Sequence, residues 1–185
     1  MPGIERRIEV STTTGVAYAV AREVLLDEPG AVFADSRTDD RLRAGHVIEE
    51  LSVDLGAGAA VHQAVVLQFG APRSTEAGLA LPLAWHATGR EELLPTFNGE
   101  LELSRARSRA RLGLRGLYTV PLGVVGRLGD DAVGRRLARR SLTSLVERFA
   151  GRLELEVERR VRTAGPQGRS EAELQGNERS EIYIG

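Results

Sequence analysis

The 185-residue chain contains no cysteine. That one absence excludes disulfides, thiolate-held zinc, cysteine-ligated iron–sulfur clusters and a cysteine nucleophile. It also fits a reducing compartment. Lysine is missing too, so all 25 basic residues are arginine. A Schiff-base amine and a phosphate-loop lysine are thereby excluded. Aromatic residues make up only 4%, with a single tryptophan. No apolar run approaches the ~20 residues needed to span a bilayer. The start, Met1-Pro2-Gly3-Ile4-Glu5-Arg6-Arg7, lacks the apolar stretch of a secretion signal. Acidic residues number 26 against the 25 arginines, so the total charge offers nothing to a polyanion. The expectation is a cytoplasmic protein with no integral membrane segment and no nucleic-acid partner.

What is present is a globular balance, 42% hydrophobic and 28% charged, at a length that suits one core. Ile4, Ile8 and Val10 alternate with charged residues, which predicts a strand over residues 4–10. Ser11-Thr12-Thr13-Thr14 offers hydroxyls that can accept free N–H groups at a helix start. Val16, Val20 and Val24 then recur at helical spacing, and Asp27-Glu28-Pro29-Gly30 stops that helix. Residues 31–45 are polar, with one turn of helix at most.

From there the period changes to two. Val47, Leu51, Val53 and Leu55 form one strand, Gly56-Ala57-Gly58 a turn, and Val61 through Phe69 the antiparallel partner. Gly70 through Ser74 turns again, and Leu79, Leu81, Leu83 and Trp85 alternate along the next strand. After a connection over residues 89–98, Leu101 and Leu103 alternate with Glu100 and Glu102. Ala110, Leu112 and Leu114 alternate with Arg109, Arg111 and Arg115. Those two segments read as a hairpin with a charged outer face, whose apolar face needs a cover.

The cover is the segment after Pro121. Val133, Leu137, Leu142, Leu145, Val146, Phe149 and Leu153 form a stripe at three/four spacing, and Arg135, Arg136, Arg139, Arg140 and Arg148 lie largely off it. Asp130 and Asp131 suit the positive end of the helix dipole. Leu153-Glu154-Leu155-Glu156-Val157 also fits a strand, but Phe149, Leu153, Val157 and Val161 keep i,i+4 spacing, which favours helix to about residue 160. Residues 163–185 are nearly devoid of apolar side chains and read as a disordered tail on a domain spanning residues 1–162.

This order, strand, helix, antiparallel strands and one long final helix, resembles the helix-grip domain of the START-like (SRPBCC) superfamily. Polyketide cyclases/dehydrases, lipid-transfer domains and plant allergens of the Bet v type belong to it. The local text carrying the resemblance is Leu81-Pro82-Leu83-Ala84-Trp85-His86-Ala87-Thr88-Gly89, Phe97-Asn98-Gly99-Glu100-Leu101-Glu102-Leu103, Gly116-Leu117-Tyr118 and Pro121-Leu122-Gly123. It is similar to uncharacterised actinobacterial members. The resemblance implies an α+β fold in which a curved antiparallel sheet wraps a long C-terminal helix, with a cavity between them for an apolar small molecule.

Candidate cavity-lining residues are Phe69, Leu83, Trp85, Phe97, Leu112, Leu114, Tyr118, Leu145 and Phe149. The expected function is binding, as carrier or sensor, of a lipid, polyketide-like or aromatic metabolite. A cyclase/dehydratase-like enzyme is one alternative, and an interaction module with a filled cavity is another. No catalytic residue, metal ligand or cofactor is expected. His46, His62 and His86 match no metal-ligand spacing. The pairs Glu91/Glu92 and Glu100/Glu102 read as solvated surface, and the glycines of Gly56-Ala57-Gly58 as a hairpin rather than a nucleotide loop. The polar groups that share the inward phase are Glu49, Gln63 and Tyr118.

Overall fold

The computed structural model describes residues 3–33, 46–56, 59–87, 96–121 and 131–164. Within them the strands are β1 (Gly3–Ala17), β2 (His46–Gly56), β3 (Ala59–Phe69), β4 (Arg73–Thr75), β5 (Gly78–Ala87), β6 (Thr96–Ala106) and β7 (Arg109–Pro121). The helices are α1 (Tyr18–Asp27), α2 (Gly30–Phe33) and α3 (Asp131–Ala164). All pairings are antiparallel, in the order β1-β7-β6-β5-β3-β2, with short β4 on β5.

The two end strands of that order, β1 and β2, both lie against α3. Five strand spacings of ~4.8 Å would put the ends of a flat sheet about 24 Å apart, while a helix with its side chains is only about 10–12 Å across. The sheet must therefore curl, and it grips the helix between its rims. The helix backbone runs close to β1, β7 and β2 and stands off the middle strands β5 and β6. The sequence reading expected the helix to pack along β3, β5 and β7. Its backbone does run by β7, but it otherwise rests on the rims β1 and β2, because the floor of a curled sheet is its most distant part.

Alternation explains which face is buried. Leu79, Leu81, Leu83 and Trp85 of β5, Phe97, Leu101 and Leu103 of β6, and Leu112, Leu114 and Tyr118 of β7 all point into one core. From α3 the core receives Ala138, Leu142, Leu145, Val146, Phe149, Ala150 and Leu153, which continues the three/four stripe. The side chains of Val133 and Leu137 lie outside the description. Outside the grip, Glu100 pairs with Arg73 and Glu102 with Arg115 at 3.5 Å, so these acids belong to the convex surface.

Four local features differ from the sequence reading. Strand β1 continues through the hydroxyl run to Ala17, and helix α1 starts only at Tyr18. Its register on β7 shifts between Thr13 and Ala17. Buried Thr14 accepts the Val16 N–H there at 3.2 Å and donates to the Ala110 carbonyl at 3.3 Å, while the Glu154 carboxylate takes the Gly15 N–H at 2.6 Å. The hydroxyl does accept a backbone donor, but within a strand irregularity that frees N–H groups from the ladder. Arg73 and Ser74, read as part of a turn, belong with Thr75 to β4, which pairs with β5. Asn98 and Phe97, read as connection, already belong to β6. Helix α3 runs past residue 160, as its i,i+4 spacing favoured, to Ala164, but the apolar stripe fades before that: Val157 is partly buried and Val161 is 67% exposed. The tail from residue 165 and the connections at 34–45, 57–58, 88–95 and 122–130 lie outside the described residues, as do Glu91, Glu92 and Asp130.

The far end of α3 is tied to α1. Glu156 receives two bonds from Arg159, both at 2.6 Å, and one from Arg160 Nε at 2.9 Å; Arg160 also reaches Asp27 at 3.1 Å. The Arg159 hydrogen bonds hold the Glu156 carboxyl below its ordinary value of 4.5, against the opposing effect of burial. A depressed carboxyl pKa adds stability that is present above the unfolded value and lost as pH falls through the folded one. Glu156→Gln should therefore cost about 1–2 kcal/mol at pH 7, a charged hydrogen-bond loss softened by the exposed arginines. The gap between variant and parent should close as the pH is lowered below 4.5. Urea unfolding at several pH values checks this, and a gap that stays constant with pH would show that the carboxylate charge is not what matters.

Candidate functional site

The concave face can be read row by row from the strand register. One row runs Leu67, Trp85, Phe97, Tyr118, Arg6 across β3, β5, β6, β7 and β1. The next runs Phe69, Leu83, Gly99, Gly116, Ile8 over the same strands. Two adjacent positions on the floor thus carry no side chain at all.

The ring of Phe97 lies over that gap. A Cβ added at Gly99 would meet Phe97 Cζ at 2.8 Å, and one added at Gly116 would meet the same atom at 2.9 Å. Trp85 stacks on Phe97, with centroids 4.3 Å apart and planes within 13°. Two large rings therefore lie nearly parallel, with Phe97 against the glycine pair and Trp85 stacked on Phe97, where the helix backbone stands off the middle strands. Tyr118, 6% exposed, completes the row. Burial alone pushes its phenol far above the usual tyrosine range, so the hydroxyl stays protonated and can serve as a donor but not as a phenolate base.

A second aromatic group closes the neighbouring part of the core. Phe33 of α2 is fully buried, 4.8 Å from Phe69 and edge-on to Phe149 at 5.1 Å. Its backbone carbonyl accepts a bond from Arg152 of α3 at 2.8 Å. The sequence reading missed this plug. Its only signal was the pair Val32-Phe33 at the head of a polar stretch.

Of the residues expected to line a cavity, Leu83, Trp85, Phe97, Leu112, Leu114, Tyr118, Leu145 and Phe149 are buried in the common core, and Phe69 packs against it partly buried. Trp85, Phe97 and Tyr118 fall in one row; Phe69 and Phe149 meet around Phe33; Leu112 and Leu114 pair with Leu103 and Leu101 on the sheet floor. Arg6 shares the inward phase of β1 with Ile8 and Val10, a polar group the sequence reading did not single out. Register sets Glu49 opposite Val65 and Gln63 opposite Leu51. His86 is exposed, while the side chains of His46 and His62 lie outside the description.

Among the described residues, no group of His, Asp and Glu could hold a metal ion, and no helix is long and apolar enough to cross a membrane. On the outer face of α3, Arg136, Arg139 and Arg140 line a shallow open groove with Thr143, Ser144 and Glu147.

A curled antiparallel sheet closed on one long C-terminal helix, with α1 and α2 among the described residues between its first two strands, is a helix-grip fold. Several solved structures are similar to it over most of the chain. The Zhui aromatase/cyclase of Streptomyces sp. R1128 is 19% identical, with 88% of this chain and 99% of that one covered and a TM-score of 0.45. A two-domain aromatase/cyclase of the steffimycin biosynthetic pathway is 15% identical over 85% of this chain and 52% of its own, with a TM-score of 0.48. A protein of Rhizobium loti is 16% identical over 82% and 99%, with a TM-score of 0.46. No family model and no curated protein matches the sequence.

Proposed function

We propose that the protein binds an apolar small molecule between the floor of the sheet and α3, as a carrier or sensor. The observation that carries this reading is the aromatic floor: Phe97 reaches over Gly99 and Gly116 with Trp85 stacked on it, under the stretch where α3 is held up by the sheet rims. A fold selected only for a tight core would set interdigitating side chains at those two positions. Flat rings over glycine leave a smooth apolar wall, the surface that a small-molecule site requires. Phe69, Leu83, Leu112, Leu114, Tyr118, Leu145 and Phe149 make up the rest of the wall in this reading.

Native mass spectrometry of protein purified from the organism that makes it tests the proposal. The expected result is a species heavier than the 20.0 kDa chain, reverting to the bare mass on denaturation. Identical native and denatured masses would count against a resident apolar ligand.

A further inference from the structure

The indole N–H of Trp85 is buried, on a residue 2% exposed, and has no hydrogen-bond partner. An unmade donor in such surroundings costs ~1–3 kcal/mol. Buried indoles ordinarily find an acceptor. A water could fill the role only with two or more polar partners, and the two described neighbours Phe97, stacked on the ring, and Leu67, its partner in the register, offer no side-chain acceptor. The donor belongs to the aromatic row that forms the floor of the proposed site.

We infer that this N–H is the recognition group of the site, and that the ligand is a flat apolar molecule bearing a neutral acceptor oxygen, such as a ketone or quinone carbonyl, held against Trp85 Nε1. The inference rests on the binding reading above and narrows it. The flatness follows from the two nearly parallel rings that form the wall. The neutrality follows from Tyr118, two positions along the same row. Burial raises its pKa, and the Trp85 donor sits as deep, on a residue 2% exposed, so a carboxylate brought against it would lose its hydration at heavy cost. A carbonyl accepts the indole proton without bringing a charge, and a plain hydrocarbon leaves the donor unmade.

The test compares fluorene with 9-fluorenone, which share a ring skeleton and differ by one carbonyl. The chain has one tryptophan, so a ¹⁵N-labelled sample shows a single indole N–H cross-peak. Both compounds should bind the parent protein, fluorenone about tenfold more tightly, which is ~1.4 kcal/mol or one net hydrogen bond. Fluorenone should move the indole proton downfield, and fluorene should not. In Trp85→Phe, whatever its absolute affinity for fluorene, the preference for the ketone should fall to within about twofold.

Equal affinities in the parent would overturn the inference and leave the binding reading standing. A tenfold preference that survives Trp85→Phe would place the acceptor elsewhere and also overturn it. If neither compound binds, the binding reading fails together with the inference. Should Trp85→Phe not fold, the indole cross-peak of the parent decides alone: no downfield shift with bound fluorenone refutes the contact.

Discussion

Gly99→Ala is expected to lower the melting temperature by about 10 °C, roughly 3 kcal/mol for a domain this size. The added Cβ would lie 2.3 Å from the Arg115 carbonyl oxygen and 2.6 Å from the Gly116 Cα, closer than real side chains come. Both atoms belong to the backbone of β7, so neither can swing aside, and β6 and β7 must part to make room. Overpacking of a dense core usually costs about 1–3 kcal/mol, and obstruction by backbone puts this site at the upper end. The third neighbour, Phe97 Cζ at 2.8 Å, would have to leave its bed, carrying the Trp85 stack with it. Gly113→Ala on the same strand is the control: its nearest atom would be the Val10 carbonyl oxygen at 3.2 Å, and it should cost under about 1 kcal/mol. Thermal unfolding of the two variants side by side checks the difference. Equal stabilities would mean that Phe97 is not bedded on the glycine pair.

Phe149→Ala should cost about 3–5 kcal/mol, the usual range for removing a fully buried phenylalanine. Total stabilities are only about 5–15 kcal/mol, so the variant should sit close to unfolding. The ring is fully buried and meets Phe33 edge-on at 5.1 Å. Phe33 in turn lies tilted on Phe69, so one ring from α3 is joined through α2 to β3. A double-mutant cycle between Phe33→Ala and Phe149→Ala should return a coupling of about 0.5–1.5 kcal/mol beyond the area lost. Strict additivity in urea unfolding would show that the two rings are buried independently.

The pattern of strands was legible because alternation is a local signal. Leu79 through Trp85 and Ala110 through Leu114 state their buried phase within a few residues. The stripe of α3 was legible for the same reason, from Leu142 to Leu153. What could not be read is what register creates. Gly99 and Gly116 are ordinary loop-forming residues in sequence, and only the β6–β7 pairing makes them one gap in the floor. Trp85, Phe97 and Tyr118 were each marked as wall residues, but their alignment in a single row depends on three strands at once.

Phe33 was lost because an isolated apolar pair beside a polar stretch has no periodicity to betray it. Thr14 was read as a helix cap because hydroxyl clusters favour caps; its actual partners, Val16 and Ala110, lie on a bulged strand. Leu153-Glu154-Leu155-Glu156-Val157 fits both periods, and the partners of its acids, Gly15 of β1 for Glu154 and Arg159 and Arg160 one helical turn along for Glu156, go with the helix.

The central claim is that an apolar molecule occupies the space between the aromatic floor and α3. The most direct measurement is calorimetric titration of the parent and of Leu114→Trp with a panel of fatty acids, sterols and polycyclic aromatics, with Trp85 emission followed in the parent. Leu114 faces inward two residues before Gly116 on the same strand, so an indole there should crowd the proposed site between the aromatic floor and α3. The account predicts that at least one class binds the parent, shifts Trp85 emission to the blue, and loses tenfold or more in affinity in a Leu114→Trp variant that still melts cooperatively. No binding from any class, or undiminished binding to a folded Leu114→Trp, would contradict it.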